Sequence, residues 1–373
     1  MHIKEFFRDT IKNFPGWSIN RKIVVFESDD WGSIRMPSKQ VYEKCLRKGY
    51  PVNLNPYERY DSLASEDDLV LLFDLLAGFK DSVGRNPIIT ANCVVANPDF
   101  HKIREDSFRN YHFELITKTF QHYPKHKNNF SLWDEGKEKM IFYPQFHARE
   151  HLNVSKFLNA LQSKDKDVLF GFENKMPGCI RKGTNYNGNY FVEATLYNSK
   201  EDKDEKLSMY LDGLELFSKL FNYNSLSIIP TNYTWSRDFD QAVLTHGVKY
   251  IQGLRKMREP ALNGKYVFYT RKIGEFNRFG QIALVRNVTF EPTLTNYTNQ
   301  VEMTLRQISN AFRMKKPAII SSHRVNFVGF IDERNRDKNL IMLKELIRRI
   351  VKTWPDVEFL SSNELGDIIS KSR

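Results

Sequence analysis

Ile23-Val24-Val25-Phe26 runs directly into Glu27-Ser28-Asp29-Asp30-Trp31-Gly32. The β-branched apolar run reads as a buried strand of a parallel sheet, and chemistry in such sheets gathers beyond the strands' carboxyl ends. Neighbouring like charges raise each other's pKa, so a cation or a proton has to relieve Asp29 and Asp30. A metal site is one reading, and a helix-capping Asp beside a solvated Asp is the other. His147 and His151 lie four residues apart at what reads as the start of a helix. That spacing puts two imidazoles on one face, where both can reach one ion. A carboxylate from the first strand would complete a His-His-Asp set with positions left open for water and substrate.

Strand and helix alternate about seven times around these residues without a linker-like break, so the economical reading is one α/β domain over 1–373, a distorted (β/α)7-type barrel. Strands are expected at 87–96, 140–143, 226–229, 249–252, 317–322 and 357–360, and a β-hairpin region within 266–290. Helices are expected over 38–48, from Ser65, over 107–122, up to Leu161, and over 204–221, 300–313 and 332–354. Ser361 and Glu364 form a capping box for a last helix. The segments 57–65 and 167–196 read as loop and as irregular or hairpin structure. Asn92 interrupts an apolar strand, either as a hydrogen-bonded core amide or as a group reaching a barrel interior.

The 373 residues contain 41% hydrophobic and 13% aromatic residues, ample for a core, with no run long enough to span a bilayer. Residues 1–14 are charged throughout and read as a short amphipathic helix, not as a signal peptide. Cys45, Cys93 and Cys179 have no paired spacing, which favours a reducing compartment and a cytoplasmic protein over thiolate metal sites. The net charge of +11 is mixed along the chain with acidic residues and comes without a nucleic-acid motif. Nucleic acid is therefore disfavoured as a partner; an anionic glycan or weak association with a membrane surface accounts for the charge equally well.

Together, Asp29-Asp30, His147-Ala148-Arg149-Glu150-His151 and Ala318-Ile319-Ile320-Ser321-Ser322-His323 resemble the motifs of the polysaccharide deacetylase family, the NodB homology domain or carbohydrate esterase family four, in the family's order. The resemblance implies that Asp30, His147 and His151 bind a divalent metal, most often zinc, with manganese, nickel and cobalt as alternatives. It makes Asp29 the general base and His323 the general acid in removing acetyl groups from an N-acetylated (or O-acetylated) carbohydrate, and the expected cytoplasmic location suggests a role in glycan biosynthesis. A glycan-binding barrel without turnover and a hydrolase of another C–N bond are the alternatives.

The chain departs from the family pattern in several places. Glu27-Ser28 replace Thr-Phe, Trp31 precedes Gly32, Ala148 replaces a hydroxyl residue and Leu152 a proline. Pro230-Thr231-Asn232-Tyr233 is the nearest match to the arginine-proline-aromatic motif and lacks the arginine that would orient the base. No Asp-x-x-Asp-Trp motif precedes His323. The chemistry is coherent without the family, because a metal-polarised carbonyl, an ionised Asp29 and a protonating His323 suffice for hydrolysis. Backbone N–H groups of the Asn232-Tyr233 turn are an expected oxyanion partner. Trp31, Tyr233 and Trp235 read either as sugar-stacking rings or as ordinary packing. His323 could instead be a strand-end histidine satisfied by a backbone carbonyl. His112, His122, His126 and His246 read as surface or helix residues, and Arg324 as solvated or salt-bridged.

Overall fold

Ile23, Val24 and Val25 have no exposed surface, which places their strand in the middle of the molecule. In the computed structural model, which describes residues 10–11, 13–176, 191–262, 265–295 and 299–372, thirteen strands are present. They are β1 (Lys22–Trp31), β2 (Ile89–Val94), β3 (Ala96–Pro98), β4 (Phe113–Leu115), β5 (Phe142–Ala148), β6 (Ser227–Ile228) and β7 (Tyr250–Gly253), followed by β8 (Lys256–Pro260), β9 (Tyr266–Thr270), β10 (Ile282–Val285), β11 (Val288–Thr289), β12 (Ala318–His323) and β13 (Val357–Phe359). The main sheet runs β10-β7-β6-β5-β2-β1-β12-β11, with β13 added to the start of β1. Every pairing in it is parallel. Parallel neighbours need crossovers, and the helices between the strands supply them, burying both faces of the sheet.

The two ends of this order, β10 and β11, are separated in sequence only by Arg286 and Asn287. One interrupted strand therefore serves both edges, and counted once it makes a seven-stranded distorted (β/α) barrel. The switch occurs residue by residue. The Arg286 amide still donates to Gly253 O of β7 at 2.9 Å, while Asn287 exchanges bonds with Ile319 of β12.

Helices 39–47, 66–77, 200–221, 300–313, 333–353 and 362–371 lie where apolar spacing and caps predict them, and the Ser361/Glu364 capping box is present. Four segments differ from expectation. Residues 107–122 are not one helix, because Ser107 and Phe108 take left-handed φ values of 52° and 61° and the chain then pairs β4 with β3. The hairpin is β8–β9, earlier than expected, and β10 and β11 belong to the barrel. Pro56–Tyr60, overlapping the start of the expected loop 57–65, is a helical turn capped by Asn55, and Lys166–Glu173 is helical. Most of the expected N-terminal helix, residues 177–190 and Cys179 lie outside the described residues. No helix among the described residues is long and apolar enough to cross a membrane.

Candidate active site

Successive residues of a regular strand face opposite ways, so Asp29 and Asp30 could not share a pocket without a distortion. β1 supplies it. Its pairing with β2 slips between Ser28 and Trp31, and Asp30 sits at φ 73°, a conformation costing a non-glycine residue about 1–2 kcal/mol. Both carboxylates then line one pocket of about 140 Å³ at the carboxyl end of the barrel strands, with His147, His151, His323, Arg35, Tyr57, Asn232 and Tyr233.

The two histidines reach it differently from the expectation. His147 lies on β5, and His151 follows in a bend before helix 154–162, because β5 runs on to Ala148 instead of giving way to a helix. They converge all the same. His147 Nε2 is 3.4 Å and His151 Nε2 3.2 Å from Asp30 Oδ1, and the three ligand atoms lie within 4.8 Å of one another. His147 Nδ1 lies 2.7 Å from Ile229 O; a carbonyl only accepts, so this nitrogen carries the proton and Nε2 keeps its lone pair. That Nε2 is buried and has no hydrogen-bond partner. A lone pair so oriented, beside a second imidazole and a carboxylate, fits a divalent ion.

The charge around the site fits as well. Glu27, Asp29, Asp30, Glu58, Asp61 and Glu291 are all buried, facing Arg35, Arg286, Arg324 and a protonated His323. Burial raises the Glu27 and Asp61 carboxyls, and Arg271 also faces Glu27, so the carboxylate left to the two histidines is Asp30. Arg35 lies 3.6 Å from Asp30 Oδ2 and 3.2 Å from Asp61, which leaves Asp30 Oδ1 as the oxygen facing both histidines. Burial opposes ionisation of Asp30, but the positive charge that His151 and Arg35 can carry beside it outweighs this and holds the carboxyl well below its usual range. Burial pushes the His151 imidazole down, with Asp30 offsetting part of the effect, so the ring favours the neutral form that ligates metal.

Asp29 is held from two sides. Arg286 donates to both its oxygens, at 2.7 and 2.6 Å, and Asn92 Nδ2 donates to Oδ1 at 2.8 Å. Burial alone would raise the Asp29 pKa, but the Arg286 guanidinium overcomes it and keeps the group ionised. Arg286 also donates to Glu27 at 2.6 Å; there burial wins and the Glu27 pKa stays raised. His323 Nδ1 lies 2.6 Å from Glu291, whose other oxygen accepts from Asn326 at 2.7 Å, and His323 Nε2 lies 3.7 Å from Asp29. Burial would lower the His323 pKa, but Glu291 and Asp29 carry it well above the ordinary imidazole value. The ring is a cation at neutral pH.

Asp29, Asp30, His147, His151, His323, Asn232 and Tyr233 thus come together, whereas Trp31 and Trp235 do not. Each tryptophan is 1% exposed. Trp31 bonds Ser28 Oγ and packs edge-on to Phe142, and Trp235 bonds Asp240, so both are core residues and not sugar platforms. The Tyr233 amide donates to Pro230 O at 3.0 Å within a tight turn, so it is already engaged and the oxyanion role expected of it is corrected. Asn92 reaches the interior. His126 is fully buried between two backbone carbonyls, unlike the surface residue expected, and Arg324 is a buried partner of Asp61.

Sequence reasoning missed Arg286 and Glu291. Arg286 holds Asp29 as the arginine counted as absent would, and Glu291 backs His323, a partner that the motifs did not point to. Their segment read as a hairpin, yet Ile282 to Val288 is an apolar run broken by Arg286-Asn287, the same signal that singled out Asn92.

No protein-family model matches the chain, and no curated protein matches it. Solved structures do. A candidate glycoside hydrolase/deacetylase from Parabacteroides distasonis is 11% identical at a TM-score of 0.49, the match covering 95% of this chain and 73% of that one. A candidate polysaccharide deacetylase from Mycobacterium smegmatis is 8% identical at a TM-score of 0.43, with 96% and 93% covered. A 4-alpha-glucanotransferase from Thermococcus litoralis is 10% identical at a TM-score of 0.42; the match covers 92% of this chain but spans only 40% of that enzyme. The side chains of the pocket, rather than these likenesses, carry the functional reading.

Proposed function

We propose that the chain is a metal-dependent hydrolase that removes an acetyl group from an N- or O-acetylated carbohydrate. The observation that carries this reading is the His147 imidazole, with Nδ1 committed to Ile229 and a buried, partnerless Nε2 facing Asp30 and His151. Asp30, His147 and His151 would hold the ion, and two imidazoles with one carboxylate suit zinc, with manganese, nickel or cobalt as alternatives. A bound divalent ion polarises the acetyl carbonyl and brings the pKa of water towards ~7.

The remaining work falls to the chain. Asp29, ionised and fixed by Arg286 and Asn92, accepts a proton from the attacking water. His323 is protonated, and its Nδ1 bond to Glu291 leaves the Nε2–H to donate. That proton goes to the leaving nitrogen or oxygen as its bond to the acetyl carbon breaks, giving acetate and the free amine or hydroxyl. Tyr57 and Tyr233 are the aromatic rings available to a sugar in this pocket. A binding barrel without turnover loses its motive, since Arg286 stands where the orienting arginine was missed.

Acetate release from a panel of N- and O-acetylated oligosaccharides tests the reading. Metal-loaded protein should release acetate from at least one, and chelated protein from none. No release across the panel by fully loaded protein would refute the acetyl chemistry while leaving the metal site standing.

A further inference from the structure

Attack of water on an acetyl carbon leaves the carbonyl oxygen negatively charged, and catalysis gains most from donors aimed at that oxygen beforehand. The backbone donor expected there is engaged elsewhere, since the Tyr233 amide donates to Pro230 O at 3.0 Å. The Asn232 Nδ2 is engaged as well, donating to Glu193 at 2.9 Å. The Tyr233 hydroxyl accepts from Arg286 at 3.3 Å, and His323 is the acid for the leaving atom. Two groups lining the pocket remain: the neutral Tyr57 hydroxyl and the Arg35 guanidinium.

Arg35 is the only lysine or arginine among the described residues lining the pocket, and its side chain keeps 14% of its surface exposed. Its Nε donates to buried Asp61 at 3.2 Å. Its Nη2 lies 3.6 Å from Asp30 Oδ2, near enough for charge attraction but too far for a hydrogen bond. Among the described residues, Nη1 and Nη2 thus have no hydrogen-bond acceptor. The Tyr57 ring packs against the guanidinium, 4.7 Å from its carbon, and holds its plane. Asp30 also sets where the fork lies, because its other oxygen faces His147 and His151. The free N–H groups therefore border the place where the reading above puts the acetyl oxygen.

We propose that Arg35 is a catalytic residue that donates through Nη1 or Nη2 to the acetyl oxygen as its charge develops. The inference rests on the acetyl chemistry proposed above. As water adds, its oxygen bonds to the acetyl carbon, the carbonyl π pair moves onto oxygen and Asp29 takes the water's proton. On collapse the pair returns, the bond to the leaving nitrogen or oxygen breaks and His323 supplies the proton. Arg35 gives up no proton in either step; its hydrogen bonds strengthen with the charge on the oxygen.

The test uses the full chain loaded with zinc. Acetate, the product, carries an anionic oxygen that can take the same donors, and its binding is read by calorimetry without turnover. Arg35→Gln should weaken acetate binding by about tenfold and Arg35→Lys by less, with zinc content as in the wild type. Asp61 keeps Arg324 in both variants, and Arg35→Lys keeps the charge beside it, so that variant carries the comparison if Arg35→Gln does not fold. On any glycan that the wild type deacetylates, Arg35→Gln should lower kcat by about 10²–10³ with little change in KM, the mark of a donor used in the transition state. Arg59→Gln, at an exposed cation outside the pocket, is the control and should alter neither readout. Acetate that fails to bind the wild type, or binds the variants equally well, overturns the proposal, as does a loss matched by lost zinc. A rise in KM for acidic glycans alone, with kcat kept, overturns it in favour of recognition of an anionic sugar. Loss in Tyr57→Phe but not in Arg35→Gln overturns it in favour of the Tyr57 hydroxyl. Weakened acetate binding in Arg35→Gln, with no acetate released from any glycan by the wild type, supports Arg35 as the donor and refutes only the acetylated carbohydrate as substrate.

Discussion

Arg286 holds two buried acids, Glu27 and Asp29, from a position where water cannot replace it. Arg286→Gln should therefore cost roughly 3–5 kcal/mol of stability, read by chemical denaturation, because it leaves charge buried without its partner. Asp29→Asn keeps the shape and removes the proton acceptor; turnover should fall by ~10²–10⁴ while metal content stays at the wild-type level. Near-normal turnover in that variant would exclude Asp29 as the base. His323 gives a prediction in pH. Its folded pKa is raised, so its contribution to stability is complete below the unfolded imidazole pKa and is lost as pH rises through the folded value. Glu291→Gln removes the larger of the two carboxylate contributions that raise it. The alkaline limb of the rate profile should move to lower pH, and stability should fall from mild acid through neutral pH, the difference from the wild type closing as pH rises through the wild-type folded value. A profile unmoved by Glu291→Gln would show that this carboxylate does not set the acid's pKa.

The elements matter through their irregularities. The slip in β1 turns both acids inward, and the break between β10 and β11 delivers Arg286 to the interior while the edges of the barrel are joined. Asn287 makes that break tolerable: its Oδ1 accepts from the Ile319 amide at 2.8 Å and its Nδ2 donates to Pro317 O at 2.9 Å. Asn287→Ala should leave buried backbone groups without partners and cost about 1–3 kcal/mol, with faster amide exchange at Ile319. Irregularity also explains what could be read beforehand. Long amphipathic helices such as 300–313 and 333–353, the second capped by Asp332, announce themselves by spacing. So do Asp29-Asp30 and the pair His147 and His151, although the pair meets through a strand end and a bend. Arg286 and Glu291 flank a two-residue strand, too short for any period to show, and their partners lie more than thirty residues away or across the barrel. Trp31 and Trp235 misled because a ring near a strand end is burial-neutral in sequence; only packing decides it.

Across the molecule, the proposal turns on Asp30, His147 and His151 being complete only with a divalent cation, since the buried His147 Nε2 beside them has no hydrogen-bond partner. Metal binding should then stabilise the fold, and chelation should lower the melting temperature of the wild type more than that of His147→Ala, which has little metal to lose. Affinity should fall as pH drops through the histidine range, because protonated imidazole cannot ligate. The most direct measurement is metal content by elemental analysis after incubation with zinc, manganese, nickel or cobalt and removal of the excess. It should be made on the wild type, on Asp30→Ala, His147→Ala and His151→Ala, and on His112→Ala and His246→Ala as controls. The account predicts one divalent ion per chain in the wild type and both controls, and a large loss in each of the three ligand variants. A wild type that stays metal-free, or ligand variants that keep a full complement, would contradict it.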